Sequence, residues 1–331
     1  MNEAELIALY FAPLAGEGGL GLRDDAALIA PPPGTELVVT ADALVAGVHF
    51  FAADPPDRIA AKALAVNLSD LAAKAADPLG FLLTLALPGD WKPAWLEGFA
   101  RGLGEVAKAF HCPLLGGDTV ATPGPLTLSI TALGAVTAGK MAPRTGARPG
   151  DALYVSGAVG DGALGLALRQ AQLADAPAPV WAAALAPAQQ ADLVDRYLTP
   201  RPRLALAQAL RACAHAAMDV SDGLVGDLRA MMRASGTSAR IDLRMAPLSQ
   251  AAAAAWRAEP GLTERLFCGG DDYEILCAVP AEARGRFEAL AAASGVPVTA
   301  IGMVGPASAG DIMIGPDGAP LTFRQERFSH F

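Results

Sequence analysis

The chain is poor in the residues that run most familiar active sites. Its 331 residues include four cysteines and four histidines. Cys112, Cys213, Cys268 and Cys277 form no CxxC pair, so neither a zinc site nor a disulfide framework organises the fold. Reduced thiols in a cytoplasmic protein are the expectation. Basic residues are outnumbered, 25 against 34 acidic, for a net charge of −9 with no basic run. Nucleic acid and anionic membrane are therefore excluded as natural partners. No apolar run reaches the roughly 18 residues of a membrane span. The opening Met1-Asn-Glu-Ala-Glu-Leu6 is acidic and lacks a signal-peptide pattern. GxxxxGK[ST] is missing, which excludes a P-loop.

Hydrophobic residues are abundant, at 53% against 18% charged. That composition supports a large buried core, and the length suits two domains. Helices are expected over residues 3–12, 57–76 and 91–111. Strands are expected over 22–29, 36–42, 81–87, 113–119 and 126–136. Ala138 to Asp151 is rich in Gly, Pro and basic residues (Lys140, Arg144, Arg148), and the domain boundary is placed there. Beyond it, strands are expected at 152–156 and 298–304 and a helix over 200–214. The segment 171–191 is rich in Ala and Pro and reads as helix or loop.

Aspartates recur at the ends of apolar runs, next to glycine or another small residue. They are Asp24 and Asp25, Asp42, Asp70, Asp118, Asp219 and Asp222, and Asp271 and Asp272. Sheets present side chains to a cleft at such positions. Asp is short and hard, and Mg²⁺ takes one or two carboxylates with water and phosphate oxygens completing its shell. A set of Asp without a His/Cys cluster therefore points to Mg²⁺, in several copies. Each Asp taken alone also fits a turn or a helix cap, as in Ser69-Asp70 and Ser221-Asp222-Gly223. The central stretch is Leu64 to Gly80, where Asn67, Ser69 and Asp70 interrupt an Ala/Leu helix.

Gly160-Asp-Gly162-Ala-Leu-Gly165 is a literal GxGxxG after a strand. It lacks the second strand of a dinucleotide fold and reads as a tight, closely packed turn. Arg144 fits either a solvated linker residue or a phosphate clamp in a cleft lined by Asp and Mg²⁺. His49 fits either a backbone-bonded buried ring or a ligand contact.

The motifs in order are Asp24-Asp25-Ala-Ala, Thr40-Ala41-Asp42-Ala-Leu-Val-Ala-Gly47-Val-His49-Phe, Asn67-Leu-Ser-Asp70-Leu-Ala-Ala, Gly116-Gly-Asp118-Thr, Asp219-Val-Ser221-Asp222-Gly-Leu, Gly269-Gly-Asp271-Asp-Tyr-Glu and a terminal His330-Phe331. This set closely resembles the thiamine-monophosphate kinases, of the aminoimidazole-ribonucleotide-synthetase-like ATP-binding superfamily. The resemblance runs essentially the whole chain. It implies a two-domain α+β protein: residues 1–138 as a mixed α/β domain for ATP, Mg²⁺ and dimerisation through its sheet, 139–148 as linker, and 149–331 as a C-terminal α/β domain. It implies a homodimer that moves the γ-phosphoryl of ATP to thiamine monophosphate, with Mg²⁺ as cofactor and K⁺ as a further candidate. By motif, Asp25, Thr40, Ala41, Asp42, Asp70, Asp118, Asp219 and Asp222 fall on metal positions, Ala41 through its carbonyl alone. Asp118, Arg144 and Ser221 fall on nucleotide positions, and His49, Asp271 and Phe328 on thiamine-phosphate positions. Asp70, Asp118 and Arg144 are the implied catalytic set. Three departures stand out: Asp271 where Glu is usual, Ala41 in place of a hydroxyl residue, and Arg23 where Gly is common.

The implied chemistry agrees with the residue inventory. A phosphate monoester acceptor has a second pKa near ~6 and is already largely dianionic at neutral pH. It needs charge screening and in-line placement rather than a general base. The competing readings are an ATP-dependent synthetase of the same superfamily and a non-catalytic dinucleotide- or cation-binding module.

Overall fold

The computed structural model describes residues 2–324. The chain forms two compact units, residues up to 71 with 76–139, and residues 72–75 with 140 onward.

The first unit begins with a short helix α1 (Glu3–Leu6), closed by a capping box between Asn2 and Glu5. Its core is a four-stranded sheet, with β1 (Thr35–Val45), β2 (Asp77–Pro88), β3 (Leu114–Thr122) and β4 (Thr127–Thr137) in the order β1-β4-β2-β3. β4 runs antiparallel to β1 and β2, and β3 runs parallel to β2. A parallel pair needs a crossover, and α3 (Pro93–Ala109) supplies it. α2 (Pro56–Ala73) links β1 to β2.

One face of this sheet is closed. Leu83, Leu85, Leu128 and Ile130 point into it and are buried, and Leu71 of α2 lies over Gly134 of β4. The other face is open, with Leu37, Val39, Leu82 and Val120 exposed. α2 is sunk in a core and mostly apolar, interrupted by Lys62, Asn67, Ser69 and Asp70. From Ile59 to Ala73 every residue is buried except Asp70. The expected helix over 57–76 stops early because Ala75 takes a left-handed φ of 58° and the Ala76 amide turns back to the Leu71 carbonyl. Residues 22–29 do not form the expected strand. Leu20, Gly21 and Leu22 have positive φ, and the Leu28 amide bonds to Gly18 rather than to a strand.

The second unit holds a six-stranded sheet in the order β10-β7-β9-β5-β8-β6. The strands are β5 (Ala152–Ser156), β6 (Ala216–Val220), β7 (Thr237–Asp242), β8 (Glu274–Val279), β9 (Val298–Pro306) and β10 (Ile312–Ile314). Alternate residues of each central strand feed two separate cores. Leu153, Val155, Leu276 and Ala278 face a core built with α4 (Asp161–Leu173), α5 (Pro187–Leu198), α7 (Leu224–Ser235), α8 (Gln250–Ala258) and α9 (Thr263–Cys268). Tyr154, Ile275, Cys277 and Val279 face the other, built with α6 (Ala207–Cys213) and α10 (Arg284–Ser294). Ala72, Ala73 and Ala75 pack into this second core, so the end of α2 belongs to the second unit. With both faces covered, β5, β6 and β8 are buried along their whole length and mostly apolar, with Asp219 and Glu274 as the acidic exceptions. Among the described residues, no helix is long and apolar enough to cross a membrane.

Candidate active site

In the first unit the pleat of β1 decides which side chains meet. Successive residues point to opposite faces. Thr40 and Asp42 lie on the closed face with Val38 and Leu44, and Ala41 lies on the open one. The Thr40 hydroxyl donates to Asp70 Oδ2 across the gap to α2. The Asp42 carboxyl is pushed up to about 6, by burial first and by the negative charge of Asp70 second. Two carboxylates and a hydroxyl thus converge where the local field favours added positive charge. Among the described residues, no three His, Cys, Asp or Glu side chains form a ready-made cage. A hard-oxygen pair of this kind suits a cation that keeps water and phosphate ligands, so the residues fit Mg²⁺.

Asp118 is held elsewhere. It pairs in register with Thr84, and Thr84 with Ser129, on the open face of the sheet. β1 and β3 are also the two opposite edges of that sheet. One chain therefore does not join Asp118 to Asp42 and Asp70. Instead Asp118 lines a pocket of about 800 Å³ over the open face, together with Asp24, Asp25, Phe11, Leu22 and Leu82. A lining with both carboxylates and apolar side chains suits a ligand with both characters. The expected metal set of this unit is divided into two groups, Thr40/Asp42/Asp70 and Asp25/Asp118.

His49 sits in the turn after β1. Its Nδ1 accepts from the Val45 amide at 3.0 Å, which leaves Nε2 to carry the ring hydrogen of the neutral form. The backbone-bonded reading and the ligand reading are thus compatible.

In the second unit β6 ends in the loop Ser221-Asp222-Gly223, which opens α7. Asp219 is buried in β6, while Ser221 and Asp222 are half-buried in the loop. Asp271 lies on an adjacent loop. Its amide donates to the Ser221 carbonyl at 2.9 Å, and the Tyr273 amide to that of Val220 at 2.8 Å. Asp271 has φ 72°, a left-handed conformation that a short polar side chain tolerates better than a longer one. Arg144 is exposed, and its charge acts on Asp227. Phe328 and the terminal His330-Phe331 lie outside the described residues.

Three carboxylates outside the implied ligand set, Asp227, Asp272 and Glu274, organise this unit. Asp227 Oδ2 accepts from the amides of both Ser221 and Asp222, each at 3.0 Å. Burial above all raises its carboxyl to about 7. Asp272 accepts from the Gly160 amide at 2.7 Å and the Gly162 amide at 3.1 Å, one on each oxygen. The GxGxxG turn therefore spends these amides on an internal carboxylate, and the dinucleotide reading fails here. Burial also drives the Asp272 carboxyl well above the ordinary range. Glu274 is fully buried. Arg196 reaches its Oε1 at 2.8 Å, Arg203 its Oε2 at 2.7 Å, and the Ser156 hydroxyl donates to it at 2.6 Å. Burial opposes its ionisation, but the two guanidinium groups outweigh that and hold the carboxyl below its usual value. The doubled Asp271-Asp272 was the one available signal: a second acid beside a ligand candidate often serves the backbone.

Comparison with known proteins now bears on this arrangement. Residues 23–136 match the AIR synthase related protein N-terminal domain, and 148–315 match its C-terminal domain. Thiamine-monophosphate kinase of Caulobacter vibrioides is 46% identical over 306 residues, spanning 91% of this chain and 83% of that one. The Escherichia coli K12 enzyme of the same name is 41% identical over 100% of this chain and 98% of its own. The chain belongs to the thiamine-monophosphate kinase family. The fold agrees. The solved structure of AaThiL complexed with AMPPCP and TMP superposes with a TM-score of 0.76 at 28% identity, covering 99% of this chain and 97% of that one. The two-domain α+β architecture implied by the sequence motifs is that of the thiamine-monophosphate kinase family.

Proposed function

We propose that the chain transfers the γ-phosphoryl group of ATP to thiamine monophosphate, giving thiamine diphosphate and ADP. The observation that carries this reading is the full-length match to the kinases, which extends over every acidic motif described above. The acceptor phosphate is its own nucleophile, so the absence of a Ser-His-Asp or Cys-His arrangement from the motifs is consistent with the reaction. What the chain must provide is placement of two polyanions.

Thr40, Asp42 and Asp70 are proposed as one group of Mg²⁺ ligands and Asp25 and Asp118 as another, with the carbonyl of Ala41 and the carboxylates of Asp219 and Asp222 also assigned to Mg²⁺ by motif. When bound, Mg²⁺ supplies the positive charge that screens the repulsion between the phosphate chains. Asp118, Arg144 and Ser221 are assigned to the nucleotide, Arg144 as a guanidinium clamp on phosphate oxygens. With Asp70, Asp118 and Arg144 form the proposed catalytic set. His49 is assigned to the thiamine-phosphate substrate. Asp271 offers negative charge to the cationic thiazolium, and Phe328 is assigned to the same substrate.

The homodimer is proposed through the open face of the first sheet. Leu37, Val39, Leu82 and Val120 leave that face apolar and uncovered, which fits a second copy of the chain. Four free, buried cysteines support a cytoplasmic setting.

Incubation of the protein with ATP, Mg²⁺ and thiamine monophosphate tests the reading, with products resolved by phosphorus NMR. Stoichiometric ADP and thiamine diphosphate are expected. ATP hydrolysis without a new diphosphate ester would overturn it. Replacing K⁺ by Na⁺ in the same assay decides the monovalent requirement, and sedimentation of the same sample decides the dimer.

A further inference from the structure

Asp227 has no role in the chemistry assigned above, yet it is 3% exposed and sits in the first turn of α7. A buried carboxylate survives only with partners. Here a single oxygen, Oδ2, receives two consecutive backbone amides, those of Ser221 and Asp222, at 3.0 Å each. The arrangement resembles a capping box in which a side chain within the helix reaches back to the residues ahead of it.

The loop so held is pinned from other sides as well. The Ser221 carbonyl accepts from the Asp271 amide. Gly223 takes φ 111°, and a Cβ there would lie 2.6 Å from the Cys268 carbonyl carbon. The charges of Arg144 and Asp222 both act on the Asp227 carboxyl, so it lies amid three residues assigned to nucleotide and cation.

We infer that Asp227 is a positioning residue: by gathering the Ser221 and Asp222 amides onto one oxygen, it fixes the Ser221 hydroxyl and the Asp222 carboxylate for the nucleotide–cation complex. It acts through the loop and touches no substrate. This inference rests on the roles of Ser221 and Asp222 proposed above. Outer-sphere residues of this kind typically alter metal affinity by about 10–100-fold.

Because one oxygen accepts both amides, asparagine supplies the same acceptor. Asp227→Asn is therefore expected to bind Mg²⁺–AMPPCP within about threefold of wild type in calorimetric titration. Asp227→Glu keeps the charge but displaces the oxygen by one methylene. It is expected to bind about tenfold more weakly, as is Asp227→Ala, with KM for MgATP rising in step and KM for thiamine monophosphate unchanged. Melting midpoints without ligand separate loop placement from global loss of fold. Glu binding as tightly as wild type, or Asn binding as weakly as Glu, would overturn the inference. If Ala does not fold, the Asn–Glu pair still decides. Wild type that binds Mg²⁺–AMPPCP but makes no thiamine diphosphate defeats the functional reading and leaves this one standing.

Discussion

Asp42 in the first unit is half-buried and Asp227 and Asp272 in the second are buried, all with raised carboxyls, but they are handled differently. Asp42 faces a second carboxylate, Asp70, and that charge adds to the cost of burial. Asp227 and Asp272 each receive two backbone amides, which offset part of it. Repulsion between carboxylates is relieved by a cation, whereas amide-bonded carboxylates are already satisfied. On the proposed assignments, the first arrangement holds a place for a ligand and the second shapes the loops around one. Counting aspartates near glycine does not distinguish them, because both kinds sit at strand ends and helix starts.

The largest expected effect separates the two kinds. Asp70→Asn removes a cation ligand and also relieves its repulsion of Asp42. Steady-state turnover should fall by about 10³-fold or more, while the melting midpoint stays level or rises. Turnover within tenfold of wild type would move Asp70 from the first kind to neither.

Asp272→Asn should do the reverse. Asp272 uses both oxygens, so an amide leaves one of the Gly160 and Gly162 N–H groups facing a donor. Denaturant unfolding should show a loss of about 1–3 kcal/mol, the cost of a buried unsatisfied group. Asp227→Asn, where one oxygen does all the accepting, should lose less stability than Asp272→Asn in the same measurement.

The smallest effect is on pH dependence. A carboxyl raised from 3.8 to about 6 in the native state binds its proton more tightly there than in the unfolded chain. Its contribution to stability is therefore most favourable below about pH 4 and declines as pH rises to about 6. Asp42→Asn should flatten that part of the profile of melting midpoint against pH, measured without divalent cations.

Much of this was legible in the residues. The order of acidic motifs carried the resemblance to the family, and with it the two-domain α+β fold. The alternation in β1 already separates Thr40 and Asp42 from Ala41. Which strand lies beside which was not legible. Asp118 looks like a companion of Asp42 along the chain, but the order β1-β4-β2-β3 puts them at opposite edges. Residues 22–29 read as a strand because their apolar content is local, whereas the positive φ values before them follow from packing. Asp227 was invisible because its partners are backbone amides, which leave no residue-type signature. Asp271 shows the converse: a departure from the family pattern that its left-handed φ makes physically reasonable.

The Asp42–Asp70 pair is proposed to be held for a cation. The direct measurement is the shift in melting midpoint produced by Mg²⁺ at neutral pH, without nucleotide, in wild type and in Asp70→Asn. Wild type should be stabilised by Mg²⁺ and the variant should lose most of that shift. An equal shift in both proteins, or none in wild type, would contradict it.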